Sequence, residues 1–185
     1  WLYMVKIKLD RKLFVFSFVF HQPNALTFSS ERLQQYCMSQ INQLLPPENI
    51  LLDLDASSKK RVFEQAGLLF ENNQGIASST VFDSLFAREK LGSTGLGRGI
   101  AIPHGRIKGL KEACGAFLRL TTPVAFDSPD GIPVNLLFVL LVPELATEQH
   151  LQILSELAER FSDSQCRDAL CKADSPESVR RIFAN

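Results

Sequence analysis

The stretch VNLLFVLLV, Val134 to Val142, holds a single polar residue, Asn135, in nine positions. A strand with one face in water alternates polar and apolar side chains, so a run this uniformly apolar predicts a strand covered on both faces. It is too short to cross a bilayer as a helix, which takes ~20 residues. Such a strand needs helices above and below its sheet, and the flanking sequence supplies them.

Ile50, Leu52 and Leu54 alternate as a strand does, and Ser57 or Ser58 offers an N-cap to a helix over Lys59 to Glu71. Val62, Phe63, Ala66, Leu69 and Phe70 form its apolar stripe. A second helix, Thr80 to Lys90, carries Val81, Phe82, Leu85 and Phe86 on one side and ends on Arg88, Glu89 and Lys90, where cations suit the helix dipole. Short strands are expected at Ile100 to Ile102, Gly115 to Thr121 and Val124 to Phe126, with a turn at Asp127 to Gly131. After the apolar run, Thr147 caps a helix over Glu148 to Phe161 that buries Leu151, Leu154, Leu157, Ala158 and Phe161. Ser164 and the Ser175-Pro176 pair read as caps of two further short helices. The expected fold is α/β, a three-layer sandwich in which a mixed β-sheet is flanked by helices on both faces.

That pattern occupies residues 38–185. The segment before it differs in character: Phe14, Phe16, Phe18 and Phe20 alternate as in a strand, and residues 1–37 carry a net charge of +3 against −3 for the remainder. Basic residues followed by the apolar run Leu13 to Phe20 imitate a signal peptide, but no small-residue cleavage site follows and the run is too short to span. We expect residues 1–37 to be an N-terminal extension outside the native domain, which would start near Met38; a peripheral membrane anchor is the functional alternative. His21 lies in this extension and receives no role.

Twenty basic and twenty acidic side chains balance, which disfavours nucleic acid as a partner. Cys37, Cys114, Cys166 and Cys171 lack CxxC spacing and read as free thiols of a reducing compartment, so a cytoplasmic location is expected, without membrane insertion.

The chemistry concentrates between Arg88 and Arg106, REKLGSTGLGRGIAIPHGR, where Gly92, Gly95, Gly97, Gly99 and Gly105 make up half of the ten glycines. Glycine lets backbone amides converge on an anion. No GK[ST] follows and no strand leads in, so the loop is neither a P-loop nor a dinucleotide fingerprint, and no nucleotide cofactor is implied. His104 stands between Pro103 and Gly105 at the end of an expected strand. With one ring nitrogen fixed by a backbone acceptor and the other turned outward, it would be a nucleophilic imidazole; otherwise it is a solvated loop histidine. His150 lies in the first turn of the helix after the apolar run, either as a hydrogen-bond donor to a phosphoryl oxygen or as a surface histidine. No metal-ligand spacing such as HExxH accompanies the histidines, so no metal site is expected.

GSTGLGRGIAIPHG, Gly92 to Gly105, with the upstream AREK, the PVAFDSPDGIPVNLLFVLLVPE stretch and EQHLQILSELA, closely resembles the IIA components of the bacterial phosphoenolpyruvate phosphotransferase system, in particular the nitrogen-regulatory branch. The resemblance runs from Met38 to the C-terminus. It implies that His104 accepts a phosphoryl group from a phosphohistidine on an HPr-like carrier (NPr), that His150 is the second active-site histidine and that Arg88 assists the phosphate. Ser93, Thr94, Gly95, Gly97, Gly99 and Gly105 are then the expected phosphate-binding set. A phosphorylation-dependent regulator of other proteins is the leading expectation, and a separate IIA subunit of a fructose or mannitol transporter, passing phosphate to a IIB protein, is the alternative.

Overall fold

The computed structural model describes the backbone of residues 3–9, 12–18, 41–145 and 148–184, and the side chains of residues 41–145 and 150–184. The chain forms two compact units, Trp1–Gln34 and Gln35–Asn185. The first contains the antiparallel pair β1 (Tyr3–Leu9) and β2 (Lys12–Phe18), with Tyr3 opposite Phe18 and Leu9 opposite Lys12. The alternation of phenylalanines thus lies on a strand as far as Phe18; Phe20, His21, Cys37 and Met38 lie outside the described residues.

The second unit is the α/β sandwich. Its elements are a helical segment α1 at residues 41–44, a 3-10 turn at Pro47–Asn49, β3 (Ile50–Leu54), α2 (Lys59–Gln74), α3 (Ser78–Lys90), β4 (Gly95–Gly97), β5 (Ile100–Ala101), β6 (His104–Ile107), β7 (Cys114–Val124), β8 (Val134–Pro143), α4 (Glu148–Ser162), α5 (Ser164–Lys172) and α6 (Pro176–Ala184). The sheet runs β3-β7-β8-β5-β4, and β6 also pairs with β8. β8 is antiparallel to β7 and parallel to β5 and β6, so the sheet is mixed and the apolar run is its inner strand.

From Leu136 onward β8 alternates between two cores. Leu137, Val139 and Leu141 join Val62, Phe63, Phe70, Val81 and Leu85 of α2 and α3, while Leu136, Phe138, Leu140 and Val142 join Leu157, Phe161, Leu170 and Phe183 of α4 to α6. Phe183 meets Phe117, Phe138 and Phe161 edge-on at 5.8, 5.8 and 5.9 Å. That geometry suits the ring quadrupole and anchors the last helix to the sheet. Asn49, fully buried, donates to the Gly115 carbonyl at 2.8 Å and accepts from Asn73 at 2.9 Å, tying the start of β3 to β7 and α2.

The helix ends follow local chemistry. The Ser58 hydroxyl accepts from the Arg61 amide at 3.2 Å, and Gly75, at φ 67°, closes α2 with its amide on the Glu71 and Phe70 carbonyls. At α5 the cap is Asp163, whose carboxylate accepts from the Gln165 and Cys166 amides, and Ser164 is the first helical residue. Ser175 caps α6 through the Ser178 amide at 3.3 Å, with Pro176 at the first helical position. Thr147, the expected cap of α4, lies outside the described residues.

Two expectations change in the sheet. The strands expected at Gly115 to Thr121 and Val124 to Phe126 join only as far as Val124, where β7 ends, so Ala125 and Phe126 lie outside any strand; the pairing of β7 with β8 shifts register between Arg119 and Val124, and Pro123, lacking an amide hydrogen, falls within that irregularity. The strand expected to end at Ile102 continues. Ile100 pairs with Leu136, Ala101 with Leu137, His104 with Leu140 and Ile107 with Pro143, a constant offset, so β5 and β6 follow β8 as one interrupted strand. The interruption falls at Ile102-Pro103, and even there the Pro103 carbonyl accepts the Leu140 amide at 2.9 Å. Among the described residues no helix is long and apolar enough to cross a membrane.

Candidate functional site

His104 opens β6, directly after Pro103. Its Nδ1 lies 3.0 Å from the Ile102 carbonyl, a group that only accepts, so Nδ1 carries the hydrogen. Its Nε2 lies 3.0 Å from Nε of Arg88, a group that only donates, so Nε2 presents its lone pair. The two contacts together select the neutral Nδ1–H tautomer. Burial, with the Arg88 guanidinium and His150 adding to it, holds the imidazole below the usual histidine range despite the opposing Ile102 carbonyl. A neutral ring with a directed lone pair is nucleophilic at Nε2.

Arg88 comes from the last turn of α3 and is held at both ends of its guanidinium, since Nη1 also donates to the Gly92 carbonyl at 2.9 Å. Helix α3 is fixed against β6: the Ser84 hydroxyl donates to the Arg106 carbonyl at 2.9 Å. Gly105 permits this approach, because a Cβ there would stand 2.5 Å from the Ser84 hydroxyl oxygen and 3.1 Å from its Cβ. The room that Gly105 leaves is thus taken by α3. His150 is the third residue of α4 and approaches from the other helical layer, near enough for its charge to act on His104.

The structure brings Arg88, His104 and His150 together, and it gives the other expected site residues local partners. Ser93 donates to the Phe126 carbonyl and accepts from the Gly95 amide at 3.0 Å. Thr94 is buried, with its amide and hydroxyl on one carboxylate oxygen of Glu89 at 3.1 and 2.6 Å. Gly95 and Gly97 lie on β4, paired with Ala101 and Ile100. Gly97 and Gly99 have φ of 89° and 79° about Arg98, at 56°, whose amide donates to Asp130. That positive-φ run makes the β4–β5 turn, a task for which glycine is suited independently of any anion.

Sequence reasoning missed Glu89. It assigned the residue to a charged helix terminus, but Val81, Leu85 and Glu89 share the buried face of α3, and their spacing of four was the available signal. The other oxygen of Glu89 meets Lys59 Nζ at 2.9 Å, and Lys59 also meets Asp127 at 2.9 Å and stands 5.0 Å over the Phe126 ring. Burial acts to lower the Lys59 pKa, but the bonds to Asp127 and Glu89 outweigh it and raise it. A lysine from α2 and a glutamate from α3 thereby hold the loop that leads into β4.

A neutral imidazole fixed on a sheet strand beside an arginine and a second histidine is equipped to receive and hand on a phosphoryl group. The chain belongs to the EIIA 2 family of the phosphoenolpyruvate-dependent sugar phosphotransferase system, whose family model matches residues 43–185. Within that family it is similar to nitrogen regulatory proteins. It is 47% identical to the nitrogen regulatory protein of Pseudomonas aeruginosa over 149 residues, 80% of this chain and 97% of that one. The crystal structure of nitrogen regulatory protein IIA-Ntr from Neisseria meningitidis matches with a TM-score of 0.75 at 55% identity, over 78% of this chain and 99% of that one. A fructose-specific EIIA component from Haloferax volcanii is 32% identical over 148 residues, 80% of this chain and 96% of that one.

Proposed function

We propose that the chain is a phosphoryl carrier of the nitrogen-related phosphotransferase branch, which accepts phosphate on His104 from an HPr-like carrier (NPr) and regulates partner proteins through its phosphorylation state. The observation that carries this reading is the pair of contacts on His104, Nδ1 on the Ile102 carbonyl and Nε2 on Arg88 Nε, each at 3.0 Å. Similarity to nitrogen regulatory proteins supports the branch.

In the transfer, the Nε2 lone pair attacks phosphorus as the P–N bond of the donor phosphohistidine breaks, and the donor imidazole leaves with that electron pair. His104 keeps its Nδ1 hydrogen, so the phosphorylated ring gains imidazolium character opposite the phosphoryl dianion. The bond to the Ile102 carbonyl therefore strengthens as the reaction proceeds, which is the form of interaction that accelerates a step. Arg88 exchanges its contact with Nε2 for the phosphoryl oxygens, and His150 donates to them from the first turn of α4. The three equatorial oxygens of the transition state are then met by a guanidinium and an imidazole rather than by water. Ser93, Thr94 and the glycines Gly95, Gly97, Gly99 and Gly105 serve by holding the loop and strand in place around this pocket. Residues 38–185 are the carrier domain in this reading.

Radiolabelled phosphate transfer from a phosphorylated HPr-like protein tests it. His104→Ala should abolish labelling while circular dichroism and melting stay unchanged, and retained label would remove His104 from the mechanism. His150→Ala should slow transfer more than it weakens carrier binding. The alternative, a IIA subunit of a fructose or mannitol transporter, is favoured by the fructose-specific relative. It predicts onward transfer from His104 to a sugar-specific IIB protein.

A further inference from the structure

We propose that Glu89 is a positioning residue for the acceptor histidine: through Thr94 and the Ile102 peptide it holds His104 in the tautomer that leaves Nε2 free to attack. The inference rests on the phosphoryl-carrier reading for its consequence, but its structural premise is independent of any phosphate.

Glu89 stands where a carboxylate is disfavoured three times over. It lies in the last turn of α3, at the negative end of the helix, and it is 9% exposed. Its charge also acts to raise the His104 pKa, and on the carrier reading it opposes the incoming phosphoryl group. Electrostatics therefore gives it no catalytic task. Geometry does.

Its two oxygens take three donors: Lys59 Nζ at 2.9 Å on one, the Thr94 amide at 3.1 Å and hydroxyl at 2.6 Å on the other. With its amide and side chain both tied down, Thr94 has a fixed carbonyl, and that carbonyl accepts the Ile102 amide at 3.0 Å. The Ile102 carbonyl in turn accepts His104 Nδ1–H at 3.0 Å. Both polar groups of Ile102 are thus committed, and Pro103, next along the chain, has no hydrogen with which to compete. The route from Glu89 to the ring is a continuous series of hydrogen bonds through two residues. An ionised carboxylate suits this place because it only accepts. A glutamine would turn an NH2 group either at Lys59 or at the Thr94 amide, setting donor against donor and releasing one arm.

The test uses the full chain, 15N-labelled, with two readouts. Long-range 1H–15N correlations report the His104 tautomer without any carrier, and quenched-flow transfer from a phosphorylated HPr-like protein reports kcat and KM. In Glu89→Gln the Nδ1–H tautomer should give way to a mixture, and kcat should fall by about tenfold with KM changed by less than about twofold, because Glu89 is buried. Thr94→Val, which loses the hydroxyl arm and keeps the amide arm, should shift the same resonances and lower kcat by about threefold. It also serves if Glu89→Gln fails to fold. Wild-type tautomer signals and kcat in either folded variant, even with a lowered melting temperature, would assign Glu89 a purely structural role and overturn the inference. A wild-type chain that keeps the tautomer but takes no phosphate would instead sink the carrier reading, while the variant spectra still decide the role of Glu89.

Discussion

Gly105→Ala tests whether the close approach of α3 to β6 sets the site. The added Cβ would stand 2.5 Å from the Ser84 hydroxyl oxygen, 3.1 Å from Ser84 Cβ and 3.4 Å from the Leu85 nitrogen, against carbon contact distances of about 3.5–4.0 Å. Rotating the hydroxyl away relieves the first contact but breaks its bond to the Arg106 carbonyl, a loss of about 0.5–1.5 kcal/mol. The second contact joins two atoms fixed to backbone, so α3 must move outward by a few tenths of an ångström, with an overpacking penalty of about 1–3 kcal/mol. Gly105 does not have a positive φ, so alanine recovers about 0.4–1 kcal/mol from the unfolded chain. The net expectation is a destabilisation of about 2–3 kcal/mol, read from urea unfolding midpoints. Arg88 lies one turn beyond Ser84 on the same helix face, so the movement also lengthens its 3.0 Å contact with His104 and slows phosphoryl transfer. Ser84→Ala removes the shortest contact, and the double variant should show a favourable coupling of about 1 kcal/mol. A Gly105→Ala protein within about 0.5 kcal/mol of wild type, with an unchanged transfer rate, would refute this account of the helix–strand seam.

Asn49→Ala leaves the Gly115 carbonyl and the Asn73 amide without their buried partner and should cost about 1–3 kcal/mol by the same unfolding assay, with the site itself unaffected. The His104 ring should titrate by NMR below the ordinary value of about 6.5, so phosphate acceptance persists as pH falls through 6.5. Arg88→Gln, which removes a positive neighbour, should move that midpoint up toward the ordinary value; a midpoint that stays put would mean the guanidinium does not act on the ring. Among the described cysteines, native-state alkylation followed by peptide mapping should modify the exposed Cys171 first, because burial pushes the Cys114 thiol up to about 12 and also raises Cys166.

The layered fold was legible because it rests on side-chain hydrophobicity. A nearly continuous apolar run settles as an inner strand, and the amphipathic stripes of α2, α3 and α4 have one place to go, although on α4 Leu151, expected on the buried face, is exposed and Ile153 is buried instead. The strand order near the site was hidden because it depends on backbone groups that every residue type shares. Pro103 reads as the end of a strand since it cannot donate, yet its carbonyl keeps pairing with Leu140, so β6 was invisible behind it. Glycine at positive φ serves an anion cradle and a tight turn equally well, and residue type alone could not assign Gly97 and Gly99 to the turn. His104 stood out through its Pro and Gly neighbours, but the group that fixes its tautomer is the carbonyl of Ile102, which carries no residue-specific mark. Glu89 was within reach, since a charged residue in phase with Val81 and Leu85 announces a buried ion that must be paired. The cap of α5 was misassigned by one position because Asp163 and Ser164 are adjacent and both cap well.

The unbroken offset of β5 and β6 along β8 has a consequence for traffic through this protein. Because His104 is stitched to the innermost strand, thermal motion at the reacting nitrogen is tied to that of the sheet rather than to a surface loop. On the proposed carrier reading, a donor and a later recipient or listener would have to bring their own adjustments to the same stationary point. Unrelated partners could share this post by matching one fixed bearing, and their competition would be settled by occupancy of that nitrogen rather than by any change of shape beneath it.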